Sequence, residues 1–195
     1  MSLVDRICQH FEDSVELKRV AVGQLAGPIA QAAEMLTAAL AADRKLLICG
    51  NGGSAADSQH MAAELVGRFE RERPELAAIA LSTDSSALTA IANDYGFEQV
   101  FAKQVRALGR EGDVLVAIST SGESANVLGA VHAAHERGLA VVALTGRAGG
   151  RIGASLRAGD VHLCVPHDRT ARIQEVHLLI IHCLCDGIDA SLLGD

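Results

Sequence analysis

Two groups of polar residues in this chain have the types and spacing that acid–base catalysis or metal binding requires. The first is His60 and Glu64, four residues apart in GNGGSAADSQHMAAELVGR, residues 50–68. On a helix these two side chains share one face. The pair could bind a metal ion or exchange protons, and an ordinary contact on a solvated helix is the alternative.

The second group interrupts the apolar pattern of RIQEVHLLIIH, residues 172–182, with Gln174, Glu175, His177 and His182. Polar side chains on an apolar helix are costly unless they have partners, which favours a functional site. Glu175 and His182 are seven residues apart and nearly aligned, whereas Gln174 and His182 are eight apart and about 80° out of line. Helical geometry therefore leaves both pairs open.

Two loops rich in glycine and hydroxyl groups follow apolar segments: GNGGS, residues 50–54, and STSGES, residues 119–124. Glycine lets the backbone approach an anion, hydroxyls donate hydrogen bonds, and the start of a following helix attracts negative charge. A tight strand-to-helix turn is the alternative for either loop alone. Neither loop has the GxxxxGK[ST] or GxGxxG pattern, so we expect a small phosphorylated metabolite.

Apolar segments typical of buried strands alternate with helical patterns along the chain. They are KLLIC from Lys45, LAAIAL from Leu76, DVLVAIS from Asp113, LAVVALTG from Leu139 and DVHLCVP from Asp160. This alternation predicts an α/β fold with a doubly wound, five-stranded parallel sheet flanked by helices. Ligands of such sheets bind at the carboxyl ends of the strands, where both loops lie.

Helical patterns frame the predicted sheet at both ends of the chain. Residues 3–42 predict two helices, broken near AGP at residues 26–28, whose apolar stripes suit packing between subunits. The last helix is expected from Thr170 to Leu193, with Thr170 as its N-cap.

Composition limits the class of protein. The 195 residues suit one domain, and 49% hydrophobic but only 3% aromatic residues predict an aliphatic core. A net charge of -7 argues against direct nucleic-acid binding. Five cysteines without CxxC spacing suit reduced thiols in the cytoplasm. Charged residues near the N-terminus argue against a signal peptide, and uninterrupted apolar runs are too short for a membrane span.

Several segments together resemble the bacterial phosphoheptose isomerases, the sedoheptulose-7-phosphate isomerases of the sugar isomerase (SIS) family. They are GNGGSAADSQHMAAEL, IANDYGF, GDVLVAISTSGESANV, VALTGR and ARIQEVHLLIIH. The resemblance implies a doubly wound SIS fold and a homotetramer with sites between subunits. It also implies conversion of sedoheptulose 7-phosphate to D-glycero-D-manno-heptose 7-phosphate, the first step of ADP- or GDP-heptose synthesis for lipopolysaccharide core.

The same resemblance assigns residues to roles. It implies Zn2+ held by His60, Glu64, Gln174 and His182, and so selects Gln174 over Glu175. Glu64 becomes the candidate base and His182 its acid partner. Substrate would be bound by Asn51, Gly52, Gly53, Ser54, Glu64, Asn93, Asp94, Ser119, Thr120, Ser121, Ser124 and Gln174.

Two alternatives come from other functional classes. The chain also resembles DiaA, a tetrameric SIS-family scaffold that binds the replication initiator DnaA; that relative lacks counterparts of Glu64 and His182. A sugar-phosphate-sensing module would keep the serine loop and need neither residue. Glu123 and Ala171 depart from the isomerase pattern, and a carboxylate at position 123 weakens a phosphate site unless it points away.

Overall fold

Five parallel strands form the central sheet of the computed structural model, which describes residues 1–194. They run in the order β2-β1-β3-β4-β5, which confirms the predicted doubly wound sheet. Their bounds are β1 (Leu46–Gly50), β2 (Ala78–Ala80), β3 (Val114–Ser119), β4 (Ala140–Gly146) and β5 (Val161–Val165). Each strand lies largely within its predicted segment, although β2 is only three residues long.

Seven helices flank this sheet within residues 1–194. They are α1 (Leu3–Ala41), α2 (Gly53–Val66), α3 (Ser85–Tyr95), α4 (Val100–Leu108), α5 (Ala125–Glu136), α6 (Gly150–Ser155) and α7 (Thr170–Leu193), with a 3₁₀ turn at Phe97–Gln99. Helices α1, α2 and α7 cover one face of the sheet, and α4, α5 and α6 cover the other. Two aliphatic cores result, one on each face.

The strand order places the two loops side by side. Strand β1 pairs with both β2 and β3, and Gly50 of β1 lies opposite Ile118 of β3. The chain turns to opposite sides of the sheet from β1, so the carboxyl ends of β1 and β3 border the crevice where open parallel sheets bind ligands. The glycine loop and the serine loop both leave from this crevice.

One helix, α1, spans the segment for which two were predicted, and that prediction was wrong. Pro28 lies inside α1, where a proline costs about 3 kcal/mol. Leu25 before it and Ala32 and Leu36 after it are all buried in the same core, and α1 packs along α7. Burial on both sides of the proline outweighs the loss of its hydrogen bond.

Helix α7 has the predicted bounds, Thr170–Leu193. Arg169 has the extended conformation of an N-cap, while Thr170 is already helical, so the prediction of Thr170 as the cap was wrong. An 18-residue window of α7 has a mean hydropathy of 1.6, high enough for a membrane span. In this structure Ile173, Ile180 and Ile188 pack into the core, so the apolar character of α7 is accounted for by its place in the fold.

Candidate active site

The glycine loop turns sharply from β1 into α2, and the backbone conformation and close contacts of this turn favour glycine at several positions. Gly52 has a φ of +57°, which a side chain would strain. A Cβ at Gly50 would lie only 2.6 Å from the carbonyl oxygen of Ser54. Ser54 itself is buried, and its carbonyl accepts a hydrogen bond from Ser58.

Gln174 of α7 lies directly over this loop. A Cβ at Gly53 would overlap the Gln174 Nε2 atom, so a side chain there would displace the amide. The neighbouring Glu175 instead accepts a hydrogen bond from Arg172, which also donates to the carbonyl of His10 on α1. Of the two residues left open by helical geometry, Gln174 is the one that contacts the loop.

His60 and Glu64 share one face of α2, as their spacing predicts, and His182 of α7 meets them. The Nε2 atoms of His60 and His182 are 3.1 Å apart, and Glu64 Oε1 is 3.4 Å from His60 Nε2. The side chain of Glu64 is 22% exposed and that of His60 40% exposed, so both are accessible to a ligand. Phe69 covers His182, with the two ring centroids 5.7 Å apart.

The spacing of the two histidine nitrogens suits a shared metal ion. Two nitrogens bound to one tetrahedral zinc, each at about 2.0–2.1 Å, lie roughly 3.4 Å apart, close to the 3.1 Å between His60 and His182. Within residues 1–194, no group of three or more His, Cys, Asp or Glu side chains is arranged to hold a metal as it stands. Without a metal, one imidazole N–H donates to the other ring.

His177 lies outside this cluster. It is fully buried, and its Nε2 is 2.9 Å from the carbonyl oxygen of Thr145 in β4. Burial lowers the pKa of His177 to about 4, against an opposing effect of the bond to Thr145. A neutral, buried imidazole bonded to the sheet is a packing element rather than a proton shuttle.

The serine loop connects β3 to α5 and leaves the start of that helix open. Ser119 Oγ and Ser124 Oγ are 2.9 Å apart, and Ser121 Oγ accepts a hydrogen bond from the amide of Glu123. Ser124 is the N-cap of α5 but makes no side-chain capping bond. The amides of Ala125 and Asn126 therefore remain as donors for an anion, while that of Val127 bonds to the Asn126 side chain. Thr120, beside them, is half-buried.

Glu123 points away from the serine loop. Its carboxylate accepts hydrogen bonds from the amide and the Nε atom of Arg151, at 3.0 and 2.9 Å. Arg151 neutralises the acid, and its amide belongs to the first turn of α6. The carboxylate is thus directed toward α6, so the electrostatic objection to a phosphate at this loop does not apply.

The two loops are joined by a pair of amides. The side chains of Asn51 and Asn126 each donate a 2.8 Å hydrogen bond to the other. Asn126 is buried in the first turn of α5 and was missed by the sequence reasoning. A polar residue at a core position of that helix was the available signal.

Asn93 and Asp94 are not bonded to these loops. Both are exposed on α3, and the Asn93 amide donates to Asp94 Oδ1 at 2.8 Å. In the part of the chain that the structure describes, no hydrogen bond connects either side chain to the glycine or serine loop.

The doubly wound fold, with its glycine and serine loops joined at the carboxyl edge of the sheet, defines an α/β class of protein that binds small ligands at that edge. A family model described as SIS domain matches residues 9–146. A phosphoheptose isomerase of Azoarcus sp. is 69% identical over the whole chain and 98% of the relative, and one from Dechloromonas aromatica is 64% identical over 100% and 99%. The chain belongs to the SIS-domain family, among its phosphoheptose isomerases.

Solved structures agree with this assignment. The structure of the Neisseria gonorrhoeae phosphoheptose isomerase is 60% identical and superposes with a TM-score of 0.93 over 97% of this chain and 100% of its own. That of a Francisella tularensis phosphoheptose isomerase is 48% identical, with a TM-score of 0.94 over 97% and 99%.

Proposed function

We propose that this protein converts sedoheptulose 7-phosphate to D-glycero-D-manno-heptose 7-phosphate, in the cytoplasm, as the first step of ADP- or GDP-heptose synthesis for lipopolysaccharide core. The observation that carries the proposal is the meeting of Glu64, His60 and His182 where α2 and α7 pack together. Relatives of this chain named phosphoheptose isomerase cover its full length at up to 69% identity.

The reaction moves one proton between two carbons of the sugar. Glu64 is the proposed base: its carboxylate takes the proton from the carbon beside the carbonyl and returns it to the neighbouring carbon of the enediolate. His182 is the proposed acid, donating a proton to the carbonyl oxygen and accepting one from the adjacent hydroxyl. The contact of both residues with His60 places them within one volume, as a shared proton transfer requires.

The two loops would bind the rest of the substrate. Ser119, Thr120, Ser121 and Ser124 are proposed to hold the phosphate, together with the open amides of α5. Asn51, Gly52, Gly53 and Ser54 would contact the sugar, and Gln174 lies over that loop. Asn93 and Asp94 complete the proposed set and would reach the substrate from a neighbouring subunit.

Zinc is the proposed cofactor, held by His60, Glu64, Gln174 and His182. Support comes from the spacing of the two imidazole nitrogens and from the nitrogen and oxygen donors, which suit an open zinc site. When bound, the ion would polarise the substrate carbonyl and stabilise negative charge on the enediolate.

A homotetramer is the proposed assembly. The first half of α1 exposes large apolar side chains that this chain alone does not cover: Leu3, Val4, Ile7, Phe11 and Val15 are 74%, 67%, 47%, 71% and 48% exposed. Such a stripe favours subunit packing. Sites between subunits would then include residues from more than one chain.

A DiaA-like scaffold that binds DnaA is the alternative function, and it is not favoured. The scaffold needs neither a base nor an acid, whereas in this chain Glu64 and His182 both contact the Nε2 atom of His60. A sensing module likewise has no use for that pair.

The decisive assay incubates purified protein with sedoheptulose 7-phosphate and follows the product by NMR. Appearance of the aldoheptose phosphate supports the proposal. Absence of turnover together with DnaA binding would establish the scaffold instead.

A further inference from the structure

Arg73, in the segment between α2 and β2, is a buried charged residue. The side chain of Arg73 is 1% exposed, and its Nε lies 2.6 Å from Oδ1 of Asp189 on α7, whose side chain is 4% exposed. Removing two charges from water is expensive, and such a pair persists only with good geometry and further hydrogen bonds. The remaining bonds of Arg73 therefore indicate what the pair does.

Those bonds go to the end of the helix that carries Glu64. Arg73 Nη2 donates to the carbonyl oxygen of Glu64 at 2.7 Å, and Nη1 donates to that of Leu65 at 2.9 Å. The last carbonyls of a helix lack partners within the helix and favour a cation. One guanidinium thus caps the last turn of α2 and joins it to α7.

The Arg73–Asp189 pair lies near the His60–His182 contact. Asp189 follows His182 by seven residues on α7, and residues seven apart are nearly aligned on a helix. Between them lies the buried Cys185, whose pKa is raised to about 12, chiefly by burial and further by the charges of Glu64 and Asp189. Glu64, Cys185 and Asp189 are therefore close neighbours where the two helices meet.

We infer that Arg73 and Asp189 form a positioning clamp that holds the Glu64 end of α2 against α7 and so sets the approach of Glu64 and His60 to His182. The inference rests on the isomerase function proposed above. Neither residue acts on the substrate itself, because both side chains are buried and the Arg73 guanidinium is used in contacts within the protein.

The clamp explains why an arginine is required. Its planar fork makes three directed bonds at once, to Asp189, Glu64 and Leu65, whereas a lysine offers a single point charge. Arg73→Lys keeps the charge but releases at least one of the two helix carbonyls. A displacement of about 1 Å at a catalytic group is enough to cost on the order of 100-fold in rate.

The test compares Arg73→Lys and Asp189→Asn with Asp113→Asn as a matched control. Asp113 is another buried acid bonded to a cation, Lys45, but both precede their strands, β3 and β1, at the amino edge of the sheet. Assayed below their unfolding temperatures, Arg73→Lys and Asp189→Asn should lower kcat at least ~10-fold with KM changed less than ~2-fold, since the serine loop is untouched. Asp113→Asn should lose stability and keep kcat.

A double-mutant cycle separates positioning from general destabilisation. In a Glu64→Gln background, Arg73→Lys should cause little additional loss of turnover, because the group it positions is already disabled. An equal loss in both backgrounds, or unchanged kcat in folded Arg73→Lys and Asp189→Asn, overturns the clamp. If Arg73→Lys does not fold, the same cycle is run with Asp189→Asn.

A second readout is independent of turnover. In protein labelled with 15N-histidine, the imidazole signals of His60 and His182 should move in Arg73→Lys and stay in place in Asp113→Asn. Unmoved signals overturn the clamp. A wild-type protein without isomerase activity would refute the proposed function, while these signals would still decide whether the clamp exists.

Discussion

The Nε2 atoms of His60 and His182 lie 3.1 Å apart although the residues are separated by 122 positions in the chain. Their contact brings α2 and α7 together at the carboxyl edge of the sheet, and Glu64 reaches the same His60 nitrogen from one turn further along α2. A base and an acid can therefore act on one substrate from two helices.

Glu64→Gln keeps the shape of the side chain but removes the proton acceptor, so isomerisation should fall by at least ~100-fold. His182→Asn should abolish turnover similarly, and both variants should fold and assemble as the unmodified protein does. The double variant should be no slower than either single one, because both groups serve one proton transfer. Near-normal turnover in both single variants would show that the chemistry is carried by other residues.

Gly53→Ala should impair catalysis without a large loss of stability. The added Cβ would overlap the Gln174 amide, so the amide must shift from its position over the loop. Gly23→Ala is the matched control, because a Cβ there meets nothing within 4 Å and alanine favours the helix by about 1 kcal/mol. Steady-state kinetics and thermal unfolding of both variants check this prediction, which fails if Gly53→Ala is fully active.

Ser121→Ala and Ser124→Ala should raise KM more than they lower kcat, because contacts with the phosphate are made equally in the ground state and the transition state. The expected change in KM is on the order of 10-fold, from the loss of about 1.5 kcal/mol in one charge-assisted hydrogen bond. Ser191→Ala, at an exposed position near the end of α7, serves as the control. A pure kcat defect would contradict the assignment.

The free energy of unfolding should depend on the protonation of His177. Its pKa of about 4 in the folded protein is below the ordinary 6.5, so the unfolded chain binds the proton more tightly. The stability from this group is therefore complete above about pH 6.5 and declines as the pH falls toward 4, by about 3 kcal/mol in total.

Denaturant unfolding at several pH values checks the effect of His177, with His177→Gln as the test variant. Glutamine can still donate to Thr145 but does not titrate, so its stability should vary less between pH 6.5 and 4. His10→Gln, on the exposed start of α1, should keep the unmodified dependence. Identical pH profiles for all three proteins would refute the role of His177.

Zinc loading should depend on His60 and not on His177. His60→Ala removes one of the two facing imidazole nitrogens, so metal content measured by elemental analysis should fall strongly. His177→Ala leaves the His60–His182 pair in place and should retain the metal if it folds. Equal zinc content in the two variants would argue against the proposed ligand set.

Much of this protein follows from local sequence patterns. Short apolar runs alternating with helical patterns predicted the five strands, and a spacing of four residues placed His60 and Glu64 on one face of α2, because both patterns depend only on backbone periodicity. The homotetramer, the zinc and the site role of Asn93 and Asp94 stay predictions.

Tertiary structure decided what periodicity could not. Pro28 predicted a break in α1, but burial of Leu25 and Ala32 in one core keeps the helix continuous. Helical geometry left both Gln174 and Glu175 open, and the contact of Gln174 with Gly53 distinguishes them. Glu123 pairs with Arg151, 28 residues away, and Arg73 pairs with Asp189, 116 residues away. Partners this distant in the chain are brought together only by the packing of the folded protein.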